Sequence, residues 1–487
     1  MYLDRILQHL ESASAEPAFN ILEQDYSYVQ FSQRVSAIYA HLMGSPELII
    51  GISIDDHVDT YASIIAVWLS GKTMVPLNLD LPVSRVQAIL DQTGIKNVLV
   101  ASPAHDGSAW KSLDVIATPS LDGMAALKNM AKASDDAYIL FTSGSTGAPK
   151  GVPIKHSALD AFTEAFFAMP LMLKKEDRFL QMFELTFDLS LMCYVIPLTI
   201  GASVHTVGDE GMKYMQIFRI LEDHAISVAL MVPSVLAHLR PYFDEIDLPE
   251  MRYNLFCGEA LPQGITSEWK RSVPHAELYN VYGPTEATIF CMTHLYGPQS
   301  KATNGVLSIG KAMHNMQMTV VDKQGNRLPT GEKGELCLAG PQLTAGYWKN
   351  PEKSAEVFLE LEGTRYYRSG DIALMDEEGE FHYLGRVDQQ VKIEGFRVEL
   401  SEVEHWLRKV SEIAQVAAVV MANEMGAHQI FSFLETENEV DEQELREELK
   451  AHLPSYMIPK KISALAKFPL NVNGKIDRKA LKSLLEK

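Results

Sequence analysis

Residues 136–151 read Asp-Ala-Tyr-Ile-Leu-Phe-Thr-Ser-Gly-Ser-Thr-Gly-Ala-Pro-Lys-Gly. Ala137–Phe141 is a short apolar run expected to form a buried strand. It opens into Thr142, Ser143, Gly144, Ser145, Thr146 and Gly147, four hydroxyls interleaved with two glycines. Glycine lets backbone N–H groups approach a phosphate closely, the hydroxyls add uncharged donors, and Lys150 supplies one cation. Phosphate is the guest that suits such a loop. The spacing is not that of the ordinary P-loop: the one Gly-Lys-Thr in the sequence, Gly71-Lys72-Thr73, has Ala66 where the first glycine belongs. Ser/Gly runs are often plain linkers, but the tight fit before Val152-Pro153-Ile154 opposes that reading.

Four further groups carry polar chemistry. Asn280-Val281-Tyr282-Gly283-Pro284-Thr285-Glu286 sets an amide, a ring, a hydroxyl and a carboxylate around a Gly-Pro turn. Such a turn suits base stacking, phosphate donors and a Mg²⁺ carboxylate, against the plain reading of a turn between strands. Tyr366–Asp371 ends a strand pattern in a carboxylate fit for two ribose hydroxyls, where an ordinary turn aspartate is the alternative. Gly385–Leu400 joins a charged turn to an alternating strand, with a helix expected from about Ser401. Asn473-Gly474-Lys475 puts one lysine at the tip of an Asn-Gly turn.

Elements must position these groups. Buried strands are expected at 49–54, 74–77, 97–101, 201–207, 226–232 and 254–257, with helical patterns between them, including Tyr61–Ser70 stopped by Gly71. Alternation of this kind predicts α/β layers around largely parallel sheets. Ser157–Asp160 reads as a capping box with Asp in place of Glu, and residues 1–10 as an amphipathic helix. From 310 to 385 short strands and turns predict a small barrel or antiparallel sheet. The acidic run Asp441–Leu449 is expected to be a solvated helix, and the lysines from Lys460 onward make the end of the chain basic.

At 487 residues the chain exceeds one core, and 47% hydrophobic with 22% charged residues is a soluble globular composition. A net charge of −20 disfavours nucleic acid, and no apolar run reaches a membrane span. Cys193, Cys257, Cys291 and Cys337 show no CxxC pairing and read as reduced, buried thiols of a cytoplasmic protein.

Taken in order, these passages resemble the adenylate-forming superfamily along the whole chain, and within it the stand-alone amino-acid adenylation enzymes: the D-alanine–carrier-protein ligases and the adenylation domains of nonribosomal peptide synthesis. Phe187-Asp188-Leu189-Ser190, Ala345-Gly346-Tyr347 and Leu453–Pro459 join the motifs above in that resemblance. It implies a large α/β N-terminal domain with a small barrel-like β subdomain (residues 1–387) and a small mobile α+β lid (388–487) carrying the catalytic lysine. It also implies ATP and Mg²⁺, and two steps: a carboxylate attacks the α-phosphate to give an acyl-adenylate and pyrophosphate, and a thiol then takes the acyl group.

By the same resemblance Thr142–Thr146 and Lys150 hold phosphates, with Thr142, Glu286 and Lys475 in the catalytic set. Glu286 holds Mg²⁺. Tyr282 stacks on adenine beside Gly258, Glu259 and Ala260, with Asn280, Gly283 and Thr285 completing the nucleotide site. Asp371 takes the ribose, assisted by Arg386. Lys475 bridges substrate and nucleotide, and Asp388 is the hinge.

Asp188 matches the family position that pairs with an α-ammonium, though an aspartate there also suits a helix cap. The matching pocket positions Leu189, Met192, Leu230, Leu255, Cys257, Val281, Ile289 and Phe290 are apolar, which favours a small aliphatic amino acid. Cys257 before Gly258-Glu259 points to D-alanine. Leu230, Phe290 and Phe183-Glu184 depart from the D-alanine ligases, so L-proline, L-alanine and other small amino acids stay open. An acyl- or aryl-CoA ligase is disfavoured by Asp188, and a non-catalytic nucleotide-binding scaffold by retention of the charged motif residues. Only nine residues follow Arg478, so the expected acceptor is the phosphopantetheine thiol of a separate carrier protein.

Overall fold

The computed structural model describes residues 1–12, 14–101, 114–117, 125–143, 149–208, 212–387, 390–423, 427–470 and 476–485. Contacts divide the chain into two units: one of residues 1–78, 93–140 and 151–387, the other of 79–92, 141–150 and 388–487.

The first unit is built on two large sheets. In one, the strands Pro17–Ile21, Ser203–Thr206, Arg178–Gln181, Val228–Met231, Tyr253–Phe256 and Glu277–Tyr282 lie side by side in parallel, and Met292–Leu295 continues the sheet antiparallel. In the other, Ile49–Ser53 lies between parallel Asn97–Val100 and Thr73–Leu77, which is followed by Asp136–Thr142. Helices Val58–Leu69 and Leu189–Ile200 are apolar nearly all round and almost every residue of each is buried. A helix of that composition must be covered on all sides. A third, antiparallel sheet contains Gln317–Val321, Lys333–Ala339, Thr364–Met375 and Phe381–Arg386.

The second unit has an antiparallel pair Val416–Ala422 and His428–Glu435, with Lys461–Leu465 parallel to the latter. Helix Leu400–Ser411 buries Leu400, Val403 and Leu407 at helical spacing. Arg85 meets the fully buried Glu402 of this helix at 2.6 Å. The acidic helix Glu442–Lys450 is capped by Asp441, whose side chain accepts from Glu444 N at 3.0 Å.

Most expected strands appear within a residue or two of their predicted limits. Two local readings need correction. The Ser157–Asp160 capping box does not form: the helix runs His156–Phe167 from Lys155, with no side-chain cap. Asp160 instead accepts the backbone N–H of Tyr2 at 2.5 Å, and Ser157 N donates to Ala133 O. The helix expected at 61–70 starts at Val58, because the His57 ring accepts Asp59 N–H at 3.1 Å and caps it earlier.

Candidate active site

Within the first unit, two strand ends and a turn gather several of the residues that the resemblance assigns to the nucleotide. Asp371 and Arg386 are cross-strand partners in the third sheet, and Arg386 Nη1 donates to Asp371 Oδ1 at 2.6 Å. Tyr282, the last residue of its strand, donates its hydroxyl to Asp371 Oδ2. Burial, then the Asp371 charge, push the phenol well above its ordinary pKa, so it stays a proton donor. Its ring lies in an apolar cluster with Cys291 and Met292.

The other residues of the turn have distinct jobs. The Asn280 side chain donates to Ser308 O at 2.8 Å and is buried. At Gly283 a Cβ would lie 2.4 Å from Phe290 Cα, so the glycine is there for close packing. Thr285 starts a 3₁₀ turn, Thr285–Ala287, that carries Glu286. Glu286 is 1% exposed, and the Tyr347 hydroxyl donates to its Oε1 at 2.8 Å.

Gly258 follows strand Tyr253–Phe256 with φ +91°, a conformation that favours glycine. Glu259 Oε2 accepts Ser234 N–H at 2.8 Å, at the N-terminus of helix Pro233–Leu239. Its carboxylate thus serves that helix end, where a negative charge is favoured. Ala260 is exposed.

The eight apolar positions assigned to the amino-acid pocket, Leu189 to Phe290, are all buried and belong to one hydrophobic cluster. Asp188 is the residue before helix Leu189–Ile200 and is 7% exposed, with no side-chain bond capping that helix. One wall is strained: Thr288 and Ile289 are successive β-branched residues at φ +55° and +73°. This conformation is a genuine outlier for such residues and is the kind that surrounding contacts must hold. The Thr288 hydroxyl is anchored on Gln342 O, and the Phe290 ring meets Phe162 edge-on at 5.0 Å.

Within the second unit, Thr142 Oγ1 is buried and has no hydrogen-bond partner among the described residues. Ser143 donates to Arg397 O at 2.7 Å. Lys150 Nζ lies 3.7 Å from Glu399 Oε1, which also accepts from Gln390 at 2.5 Å. Gln390 in turn accepts from Arg397 Nε at 2.7 Å. These polar groups of the loop are therefore already in a network, and a phosphate would draw Ser143 and Lys150 into new partnerships. Gly144, Ser145, Thr146, Asp388 and Lys475 lie outside the described residues. Lys72, in the Gly-Lys-Thr that failed the P-loop spacing, donates to the carbonyls of Ser45 and Glu47 and serves the fold.

Comparison with known proteins bears on this constellation. Residues 8–348 match the AMP-binding enzyme family and residues 402–475 its C-terminal domain. The chain belongs to the AMP-binding enzyme family. This AMP-binding enzyme is similar to zwittermicin A synthase ZmaJ of Bacillus cereus, at 33% identity over 90% of this chain and 85% of that protein. It is similar to the D-alanine–D-alanyl carrier protein ligase of Lacticaseibacillus paracasei, at 31% identity over 98% of this chain and 99% of that one. Among solved structures it resembles the Vibrio cholerae adenylation domain AlmE in complex with glycyl-adenosine-5′-phosphate, with a TM-score of 0.88 and 27% identity over 100% of this chain and 97% of that one. The AMP-binding enzyme is accordingly an AMP-forming ligase of mixed α/β fold that uses ATP. Among the described residues no helix is long and apolar enough to cross a membrane, and all four cysteines are buried and free of disulfides.

Sequence reasoning gave Tyr347 no role. It lies 61 residues from Glu286, and no local spacing joins a tyrosine to so distant a carboxylate.

Proposed function

We propose that this AMP-binding enzyme activates a small apolar amino acid as its aminoacyl-adenylate and then passes the acyl group to the phosphopantetheine thiol of a separate carrier protein. D-Alanine is the leading substrate. One observation carries the amino-acid reading: Asp188 is a buried carboxylate placed beside a helix whose neighbours, Leu189 and Met192, belong to an apolar cluster. A buried carboxylate among apolar residues favours a cationic ligand group, and an α-ammonium is such a group. The similarity to D-alanine–D-alanyl carrier protein ligases over nearly the full length supports the carrier-protein step. The bulk of Leu230 and Phe290 supports a small side chain, with glycine, L-alanine and L-proline as competitors.

In this reading Asp371 receives the ribose hydroxyls and is held ready by Tyr282 and Arg386. Thr142–Thr146 and Lys150 take the phosphates, and Lys475 the carboxylate. Glu286 fits Mg²⁺ as a buried carboxylate held in place by Tyr347, since Mg²⁺ is typically held by one or two carboxylates plus substrate phosphates. The metal would supply positive charge as two anions are joined. The remaining work is positioning and electrostatic stabilisation by these side chains. Residues 388–487 would act as a lid turning at Asp388.

The deciding experiment is ATP–pyrophosphate exchange with D-Ala, L-Ala, Gly, L-Pro, L-Val and L-Ser, and with benzoate as the amine-free control. Exchange dominated by D-Ala is expected. Dominance by another small amino acid would keep the chemistry and change the substrate, whereas exchange with benzoate alone would remove Asp188 from ammonium recognition.

A further inference from the structure

The contact between Tyr347 and Glu286 is more than packing. Tyr347 is buried, and its position is fixed from several directions. Its backbone N–H donates to Ser354 Oγ at 2.9 Å, and its carbonyl accepts Asn350 N–H at 3.2 Å. The next residue, Trp348, donates to Gly151 O at 2.8 Å. Thr344, three residues earlier, donates its N–H to the backbone carbonyl of Glu286 itself at 2.8 Å and its hydroxyl to Pro153 O at 2.7 Å. At Gly346, φ is +151° and a Cβ would meet Ser354 Oγ at 2.7 Å, so this turn has no room for a side chain. Segment 344–350 therefore grips Glu286 twice, once through its main chain and once through the Tyr347 hydroxyl.

The chemistry of that donor is informative. An arginine or lysine here would orient the carboxylate and also neutralise it, and so compete with a cation. A phenol orients one oxygen and leaves the negative charge intact. The hydroxyl engages Oε1 and so limits how the Glu286 carboxylate can turn. The Tyr367 hydroxyl, 3.5 Å from that of Tyr347, is the next polar group in line.

We infer that Tyr347 is a positioning residue for the divalent cation: by holding Oε1 of Glu286 with a donor that carries no charge, it raises the affinity of Glu286 for the metal that accompanies the nucleotide. This rests on the reading of Glu286 as the metal ligand. Partners that orient a metal-binding carboxylate typically contribute about 10–100-fold in metal affinity or activity.

The test uses the full chain with Mn²⁺ as a paramagnetic probe and a non-hydrolysable ATP analogue, free Mn²⁺ being counted by electron paramagnetic resonance. Tyr347→Phe keeps the ring in the core, and its thermal unfolding is compared with the parent to establish that it folds. The expected result is Mn²⁺ binding weakened about 10-fold or more, while exchange at saturating metal stays within a few-fold of the parent. Tyr367→Phe, which removes the neighbouring hydroxyl 3.5 Å from that of Tyr347, is the control and should bind Mn²⁺ like the parent. Glu286→Gln separates the two layers of the argument. If it loses Mn²⁺ binding but Tyr347→Phe does not, the inference about Tyr347 fails and the Glu286 reading stands. If Glu286→Gln binds Mn²⁺ like the parent, the Glu286 reading itself fails and this inference with it.

Discussion

Arg386 stands directly across from Asp371 on the neighbouring antiparallel strand, and the two side chains meet at 2.6 Å in a largely buried setting. Tyr282 occupies the other carboxylate oxygen. The acid is thus oriented by one charged and one neutral donor, an arrangement that suits the ribose-binding role proposed for it.

Arg386→Ala is therefore expected to do two things. Leaving a buried carboxylate without its cation costs about 3–5 kcal/mol at the upper end, visible as a lowered Tm. Losing a bond to a charged group, worth about 1.5–3 kcal/mol, should raise the KM for ATP about 10–100-fold. Steady-state exchange against ATP checks this. A parental KM for ATP in a folded variant would take Arg386 out of the ribose site.

How much of this was legible in the sequence depends on distance along the chain. The strand into the hydroxyl-rich loop, the Asn280–Glu286 turn and the burial of the eight apolar positions assigned to the pocket were readable because strand alternation, Gly/Pro punctuation and motif order are local signals. Glu259 carried a motif signal, but its attachment to the helix beginning at Pro233 is a tertiary contact. The capping box failed for the same reason. Asp160 had two competing donors, and the N-terminal helix, 158 residues away, supplied the better one. The partnership of Lys150 with Glu399 and that of Tyr347 with Glu286 likewise follow from the fold, not from spacing.

Gly283→Ala tests whether the turn glycine serves space. The added Cβ would meet Phe290 Cα at 2.4 Å and Ile289 O at 3.0 Å, both main-chain atoms that cannot swing aside. The substitution should lower Tm, by about 1–3 kcal/mol in stability as for other overpacked sites. It should also raise the KM for the amino acid, because Ile289 and Phe290 line the proposed pocket. An unchanged Tm and KM together would mean that the wall yields freely.

Phe290→Ala addresses pocket size. Removing a fully buried ring costs about 3–5 kcal/mol, so lower stability is expected whatever the ligand. The informative readout is preference. Each additional methylene accommodated should change discrimination by about 1–3 kcal/mol, which would move exchange from the smallest amino acids toward L-Val and L-Leu. A variant that folds and keeps the parental order of substrates would place Phe290 outside the pocket.

His156 gives the fold a defined sensitivity to acid. It is fully buried, with Nδ1 2.9 Å from the Tyr2 hydroxyl, and burial brings its pKa down to about 4 despite the opposing pull of Asp135. His205 is brought down to about 3, by burial first and then by His224. In the unfolded chain each would titrate near about 6.5. Below that pH the unfolded chain takes up protons that the folded chain refuses, so stability falls as pH drops from about 6.5 toward the folded pKa values. For His156 the loss is on the order of 3 kcal/mol by about pH 4, at 1.36 kcal/mol per pKa unit. Asp136 and Asp160, whose pKa values burial raises, act in the opposite sense, so the parent's curve alone does not isolate the histidine. Comparison with His156→Gln does. The variant should be less stable at neutral pH, having altered the bond with Tyr2, yet its Tm should decline less steeply than the parent's between about pH 6.5 and pH 4. Parallel Tm curves for the two proteins would mean that His156 takes its proton as easily folded as unfolded.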